Sequence, residues 1–342
     1  MGGRLCAAVL VGWVFLAGAL AQGQTYDLGN GMLLMVQGSG PDQPAGSLDS
    51  IVSSLSASAM TLPDVPTSRW TYGCSATSAG MMFGYYDRHG YSNMYAGPAN
   101  GGLAPTYDLG ASCSIIATKQ GFDGLATRGH VDDYWIATNS AGPDPWQNNW
   151  AEHSWAACTA DYMGTNQWKW DYYSGIPGID SNRDGATSLF SYSGGTPLYD
   201  YIPPAYYGLP RTELCHGMRL FAESRGYTVL TNYTQVIDAW ASGGFSFAQY
   251  QAEIDNGLPV MLQLDGHTIM GVGYDASSQT VYLHDTWDNN VHSMIWGGSY
   301  SGMTFRAVTV VHLAPVPEPA TLALLAGGMV VLISRRSSRG RA

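Results

Sequence analysis

Three short stretches of the sequence carry residues whose types and spacing suit nucleophilic chemistry. Gly73-Cys74 stands at the start of a helical pattern, where first-turn N–H groups and the positive end of the helix dipole favour thiolate over thiol. Thiolate is the nucleophile, and a glycine before it lets a substrate backbone come close. Asp265-Gly266-His267-Thr268 puts a histidine at the head of an apolar, β-branched run, so a strand behind it can fix its aim into a cleft. His284-Asp285-Thr286-Trp287 ends the next such run with an acid. If the two runs are adjacent antiparallel strands, Asp285 comes beside His267 and orients the imidazole, completing a Cys-His-acid set for acyl transfer. Each residue also has a plainer reading. Cys74, Cys113, Cys158 and Cys215 are an even set that two disulfides would use up in an oxidising compartment. His267 fits a structural strand histidine, and Asp288 rivals Asp285.

A further stretch, Asp180-Ser-Asn182-Arg-Asp184-Gly185, matches the first half of an EF-hand loop, with oxygen ligands at its odd positions and a glycine at the bend. Ser191 occupies the position where a bidentate acid closes such a loop. An Asx-type turn is therefore the first reading of Asp180, Asn182 and Asp184, and a structural calcium site the second.

The acyl-transfer reading needs a helix to carry the cysteine and a sheet to carry the histidine. From Cys74 to Tyr86 the residues Ala79, Met82, Phe83 and Tyr86 recur at helical spacing, and Asp87-Arg88-His89-Gly90 stops the pattern. A second helix is expected from Thr212 through Arg225, ending at Gly226. Ser246-Phe-Ala-Gln249 is a capping-box pattern for a third, which ends at Gly257 with Pro259 beyond it. The period then changes. Leu258 to Leu264, Thr268 to Tyr274, Thr280 to His284 and Thr304 to Leu313 are short, β-branched and aromatic, with turns such as Asp275-Ala-Ser-Ser between them. Helices first and an antiparallel sheet last make an α+β body. Residues 22–65 read as a lead-in segment closed by Pro63 and Pro66, and residues 91–210 as a long, loop-rich, aromatic insertion.

Composition sets the outer limits. The chain has 342 residues, 45% hydrophobic and 12% aromatic, with a formal net charge of -11. Disordered chains lack this apolar and aromatic content, so the body should fold. An acidic body without a basic stripe repels phosphate backbones, which excludes nucleic acid as a partner class. The ends differ from the body. Residues 1–21 combine Arg4, an apolar run from Ala7 to Leu16 and a small-residue end at Ala19-Leu20-Ala21, which is a secretory signal peptide. Residues 314–342 hold Val316-Pro317-Glu318-Pro319, an apolar stretch from Ala320 to Ile333, then Arg335, Arg336, Arg339 and Arg341. As a helix that stretch spans about 21 Å, short of the roughly 30 Å hydrocarbon core.

At these residues two resemblances become specific. The tail is similar to the PEP-CTERM sorting signal of bacterial surface proteins, which implies an exosortase-type processing partner, transient membrane insertion of the tail, and a destination at the cell surface or in the extracellular matrix. Within a domain drawn at 66–313 with the unmatched insertion at 91–210, residues 66–90 and 246–312 resemble the papain-like cysteine peptidases and most closely their C39-like branch. Gly73-Cys74, Gly266-His267 leading to Gly273-Tyr274-Asp275, and Asp285 followed by Trp287 stand in the family's order. The resemblance implies a helical half with the nucleophile Cys74, a sheet half with the base His267 and its orienting partner Asp285, a peptide or protein substrate, and no required cofactor. The family's oxyanion glutamine lies about six residues before the nucleophile, where this chain has Ser68. The contrasting expectation is a non-catalytic surface or matrix binding protein that keeps the same fold.

Overall fold

The computed structural model describes residues 25–38, 43–45, 50–71, 73–95, 103–107, 115–116, 158–165, 185, 187–202 and 213–315. Strands β1 (Thr25–Asp27), β2 (Met32–Gln37), β3 (Ser50–Ile51) and β4 (Ala59–Thr61) come first, followed by helix α1 (Cys74–Arg88) and the short α2 (Thr159–Met163). Next come β5 (Thr187–Tyr192), β6 (Leu198–Tyr199), α3 (Leu214–Ser224), β7 (Val229–Val236) and α4 (Phe247–Asp255). The remaining strands are β8 (Val260–Leu264), β9 (His267–Asp275), β10 (Thr280–His284), β11 (His292–Ile295), β12 (Ser299–Tyr300) and β13 (Met303–Leu313).

The main sheet runs β3-β11-β10-β9-β8-β13-β7-β6, with β12 against β13 and β4 against β9, and its pairings are antiparallel. A smaller antiparallel sheet has the order β1-β2-β5. This is an α+β architecture, as the period change from helical to strand spacing implies. The strands expected after residue 257 all form, each within a few residues of its sequence boundary.

Two features depart from the simple order of helices first and sheet last. Residues 22–65 carry β1 to β4, of which β4 extends the main sheet beside β9 and β3 forms its edge beside β11. Residues 91–210 supply β5, which pairs with β2, and β6, which pairs with β7. Short strands such as Ser50–Ile51 leave no periodic signal, because they exist only through their neighbours' hydrogen bonds.

Helix α1 is not amphipathic as its spacing suggests. From Cys74 to Asp87 every residue is buried, because β9 covers one side while α2 and α3 cover others. A helix buried all round must satisfy its polar side chains internally. Ser78 does so by donating to the Thr268 carbonyl at 3.1 Å, and Asp87 by accepting from the Tyr95 and Ala104 N–H groups, both at 2.9 Å. Phe83 meets Phe221 of α3 at 4.7 Å between ring centroids, joining the helices into the core. Ser246 and Gln249 form the expected capping box at the start of α4. For α3 the cap is Glu213, whose carboxylate accepts from the His216 N–H at 2.8 Å; Thr212 lies outside the described residues. Burial pushes the Glu213 carboxyl up to about 8, against the downward pull of the N–H groups it accepts from.

Candidate active site

Cys74 is the first residue of α1, and the turn that delivers it is tightly built. Gly73 caps the helix at φ 118°, a conformation that side chains avoid, and a Cβ there would lie 2.5 Å from the Gly185 carbonyl oxygen. The close approach of these two backbones is the reason for glycine at both positions. Thr77, one turn on, accepts from the Thr71 N–H and donates to the Gly73 carbonyl, both at 2.8 Å, fixing the entry to the helix. Glycine as the N-cap brings no side chain of its own to the first-turn amides, and the positive end of the dipole lies at the sulfur. The Thr268 N–H donates to Cys74 Sγ at 3.4 Å, which joins α1 to the start of β9. Cys74 is fully buried, at 0% exposure.

His267 precedes Thr268 and opens β9, after the two-residue turn Asp265-Gly266 that links it to Leu264 of β8. Gly266 takes φ 79°, and Arg306 clamps the Asp265 carboxylate with two bonds of 2.9 and 3.0 Å. Bidentate arginine pairs are geometrically stiff, so the turn that aims His267 is anchored from β13. His267 Nε2 lies 2.8 Å from the main-chain carbonyl of Asp285. A carbonyl only accepts, so Nε2 carries the proton and Nδ1 the lone pair in the neutral ring. The indole of Trp287 lies flat on the imidazole, 4.3 Å away and 3° from parallel. Burial pushes His267 down to about 4, partly offset by its bond to the Asp285 carbonyl, so the ring is neutral at pH 7.

Asp285 thus meets His267 through its backbone and not through its carboxylate. The carboxylate faces the other way. Its Oδ1 accepts from the Trp287 N–H at 2.9 Å, and its Oδ2 accepts from the Tyr300 hydroxyl at 2.8 Å with His292 Nε2 at 3.5 Å. Burial raises the Asp285 carboxyl, opposed by His292 and these hydrogen bonds. The side chain therefore shapes the loop, and the loop presents the carbonyl. Thr286 sits at φ 74°, costly for a β-branched residue, and its carbonyl accepts from the Trp70 N–H. Strain held at the residue between Asp285 and Trp287 is what turns the carbonyl and the indole towards one imidazole.

Asp285, Asp288 and His292 bring three potential ligand atoms within 4.8 Å of one another. Their geometry is that of a hydrogen-bonded cluster: His292 Nε2 is 2.9 Å from Asp288 Oδ1. Metal ligation by Nε2 would place the proton on His292 Nδ1, which is buried and has no hydrogen-bond partner among the described residues. Ligating histidines ordinarily donate from that second nitrogen, so the cluster fits an ion poorly. Asp180, Asn182 and Asp184 lie outside the described residues, as do Cys113, residues 1–21 and the tail from residue 316. Cys74, Cys158 and Cys215 are buried thiols. Ser68, buried at the position expected for an oxyanion donor, gives its hydroxyl proton to the Arg69 carbonyl at 3.0 Å.

Several residues of the site have no sequence signature of their own, Thr268 excepted. Ser75, Thr268 and Gln263 form a hydrogen-bonded run beside the sulfur, with 2.8 Å at each link. Arg306 and Tyr300 reach the site from beyond the last motif, and only the folded sheet brings them to it. A signal for Thr268 existed in its place directly after the histidine.

Residues 203–306 match the Peptidase_C39 like family, and residues 315–339 match the PEP-CTERM protein-sorting motif. The first match includes His267 and Asp285 and ends short of Cys74 on the N-terminal side. The second indicates export with sorting to the membrane or cell surface in bacteria, and implies processing by exosortase-type machinery. No curated protein and no solved structure matches the chain.

Proposed function

We propose that the protein is an exported cysteine peptidase or amidase of papain-like fold, with Cys74 as nucleophile and His267 as base. The observation that carries this reading is the bond from the Thr268 N–H to Cys74 Sγ, which sets the sulfur at the helix N-terminus beside the strand residue following the histidine. His267 Nδ1, the lone-pair nitrogen, takes the thiol proton, and the thiolate attacks the amide carbonyl carbon. The C–N bond breaks as His267 returns the proton to the leaving amine. Water then attacks the thioester, again losing its proton to His267, and the acid product leaves the sulfur. The first-turn amides of α1 supply oxyanion stabilisation, the Cys74 N–H foremost. Asp285 acts by presenting its carbonyl to Nε2, and Trp287 keeps water from that bond. No cofactor enters this chemistry. The substrate is a peptide or protein met at the cell surface or in the extracellular matrix.

The full burial of Cys74 and His267 favours a second reading, in which the fold is a surface scaffold and the thiol never meets substrate. For the peptidase, the groups that bury Cys74 have to yield before a substrate backbone reaches the sulfur. A diverse peptide library incubated with wild type, Cys74→Ala and His267→Ala separates the readings. The peptidase gives cleavage products in wild type alone, and equal product profiles in all three would exclude it.

A further inference from the structure

Beside Cys74 a chain of hydrogen bonds crosses the sheet, and it runs in one direction. Gln263 Nε2 donates to Thr309 Oγ1 at 3.0 Å, which leaves Gln263 Oε1 facing Thr268 at 2.8 Å. An amide oxygen only accepts, so the Thr268 hydroxyl proton points to Gln263. Ser75 Oγ, 2.8 Å from Thr268 Oγ1, must then be the donor of that pair. Its proton spent, Ser75 turns lone pairs towards Cys74 Sγ at 4.0 Å. Ser75, Thr268, Gln263 and Thr309 are all at 0% exposure, so water cannot substitute for a missing link. Thr268 is the junction of α1 and β9: its N–H reaches Cys74, its hydroxyl Ser75 and its carbonyl Ser78.

We propose that the Thr268 main-chain N–H is the group that stabilises the Cys74 thiolate, that Ser75 is a positioning residue clamping α1 at the distance this requires, and that Gln263 directs the Ser75 proton away from the sulfur. The inference rests on the reading of Cys74 as a nucleophile. A hydrogen bond to a charged acceptor is the stronger kind, and its loss moves an ionisation by about one pH unit. The two side chains have opposite effects. Ser75→Ala removes lone pairs 4.0 Å from the sulfur but loosens the clamp that holds the donating Thr268 N–H at 3.4 Å, and the loss of the nearer group decides, so thiolate forms less readily. Gln263→Met keeps the Ser75–Thr268 contact but frees its direction, so that Thr268 donates to Ser75 and Ser75 to the sulfur, and thiolate forms more readily.

The test is the pH midpoint of Cys74 thiolate absorbance in the far ultraviolet, taken as the difference from the same protein carrying Cys74→Ala, which needs no access to the buried sulfur. The midpoint is expected to rise by about one unit in Ser75→Ala, to fall in Gln263→Met, and to stay within a few tenths of wild type in Thr268→Ser, which keeps the hydroxyl. A rise in both Ser75→Ala and Gln263→Met, or no movement in folded Ser75→Ala, overturns the proposal. If Gln263→Met does not fold, Ser75→Ala against Thr268→Ser decides, equal midpoints refuting the clamp. The titration needs no substrate, so it can fail while peptide cleavage succeeds, and the reverse.

Discussion

Replacing Trp287 by alanine should change the acid-base behaviour of His267 more than any other single substitution around the site. The indole is a flat cover on the imidazole, 4.3 Å away and 3° from parallel, and is itself only half-buried, so it separates the ring from solvent. Burial is the largest cause that holds His267 at about 4, against an ordinary 6.5. Opening one face to water should return at least one unit of that shift, and at most all of it. Over the whole interval this is about 3 kcal/mol of penalty against the charged ring. The sign for stability follows from the depressed value. The unfolded chain binds the proton first, so the contribution of neutral His267 is fully present above pH 6.5 and is lost as pH falls towards 4. In Trp287→Ala this acid-side loss shrinks, although the variant is less stable overall through lost packing. The assay is an NMR titration of the His267 ring signals, assigned by their absence in a His267→Gln protein. A midpoint within about half a unit of wild type, in a variant with native circular dichroism, would refute burial by Trp287 as the cause.

Glu213, held up at about 8 from an ordinary 4.5, predicts the opposite limb: the native state prefers its protonated form, so stability falls as pH rises from 4.5 through 8. Urea midpoints of wild type should drop across that window and those of Glu213→Gln should not; a flat wild-type profile counts against the assignment. Gly73→Ala should abolish cleavage and cost at least about 3 kcal/mol, because its Cβ would stand 2.5 Å from the Gly185 carbonyl oxygen at a φ of 118°. Denaturant melts check this, and a wild-type melting profile would show that the two backbones part easily. Arg306→Lys replaces two fixed bonds on Asp265 by one mobile one, so kcat should fall severalfold with KM little changed. An unchanged kcat would mean that the turn before His267 holds its shape without Arg306.

Long, periodic or capped elements were legible in the sequence, and elements made by their neighbours were not. The strands β8, β9, β10 and β13 and the capping box of Ser246 follow from local pattern. Strands β3, β4 and β6 are two or three residues long and are defined by pairing across many residues of sequence, which no local period reports. The same division holds in the site. Cys74 and His267 stand at turns with a glycine before each, a visible mark of close backbone approach. The role of Asp285 was harder to see, because a motif shows a carboxylate and cannot show that the carbonyl of the same residue will face the imidazole. That outcome depends on Thr286 at φ 74° and on Tyr300 holding the carboxylate away, both of which are consequences of tertiary packing.

Intact mass of the protein, quenched in acid during turnover of a peptide from the library, tests whether Cys74 is the nucleophile. An added mass equal to the acyl half of the cleaved peptide should appear on Cys74, hold a steady level while product grows, and be absent from Cys74→Ala. Wild type that cleaves peptides with no adduct on Cys74, or that leaves every peptide intact with Cys74 unmodified, would contradict that role.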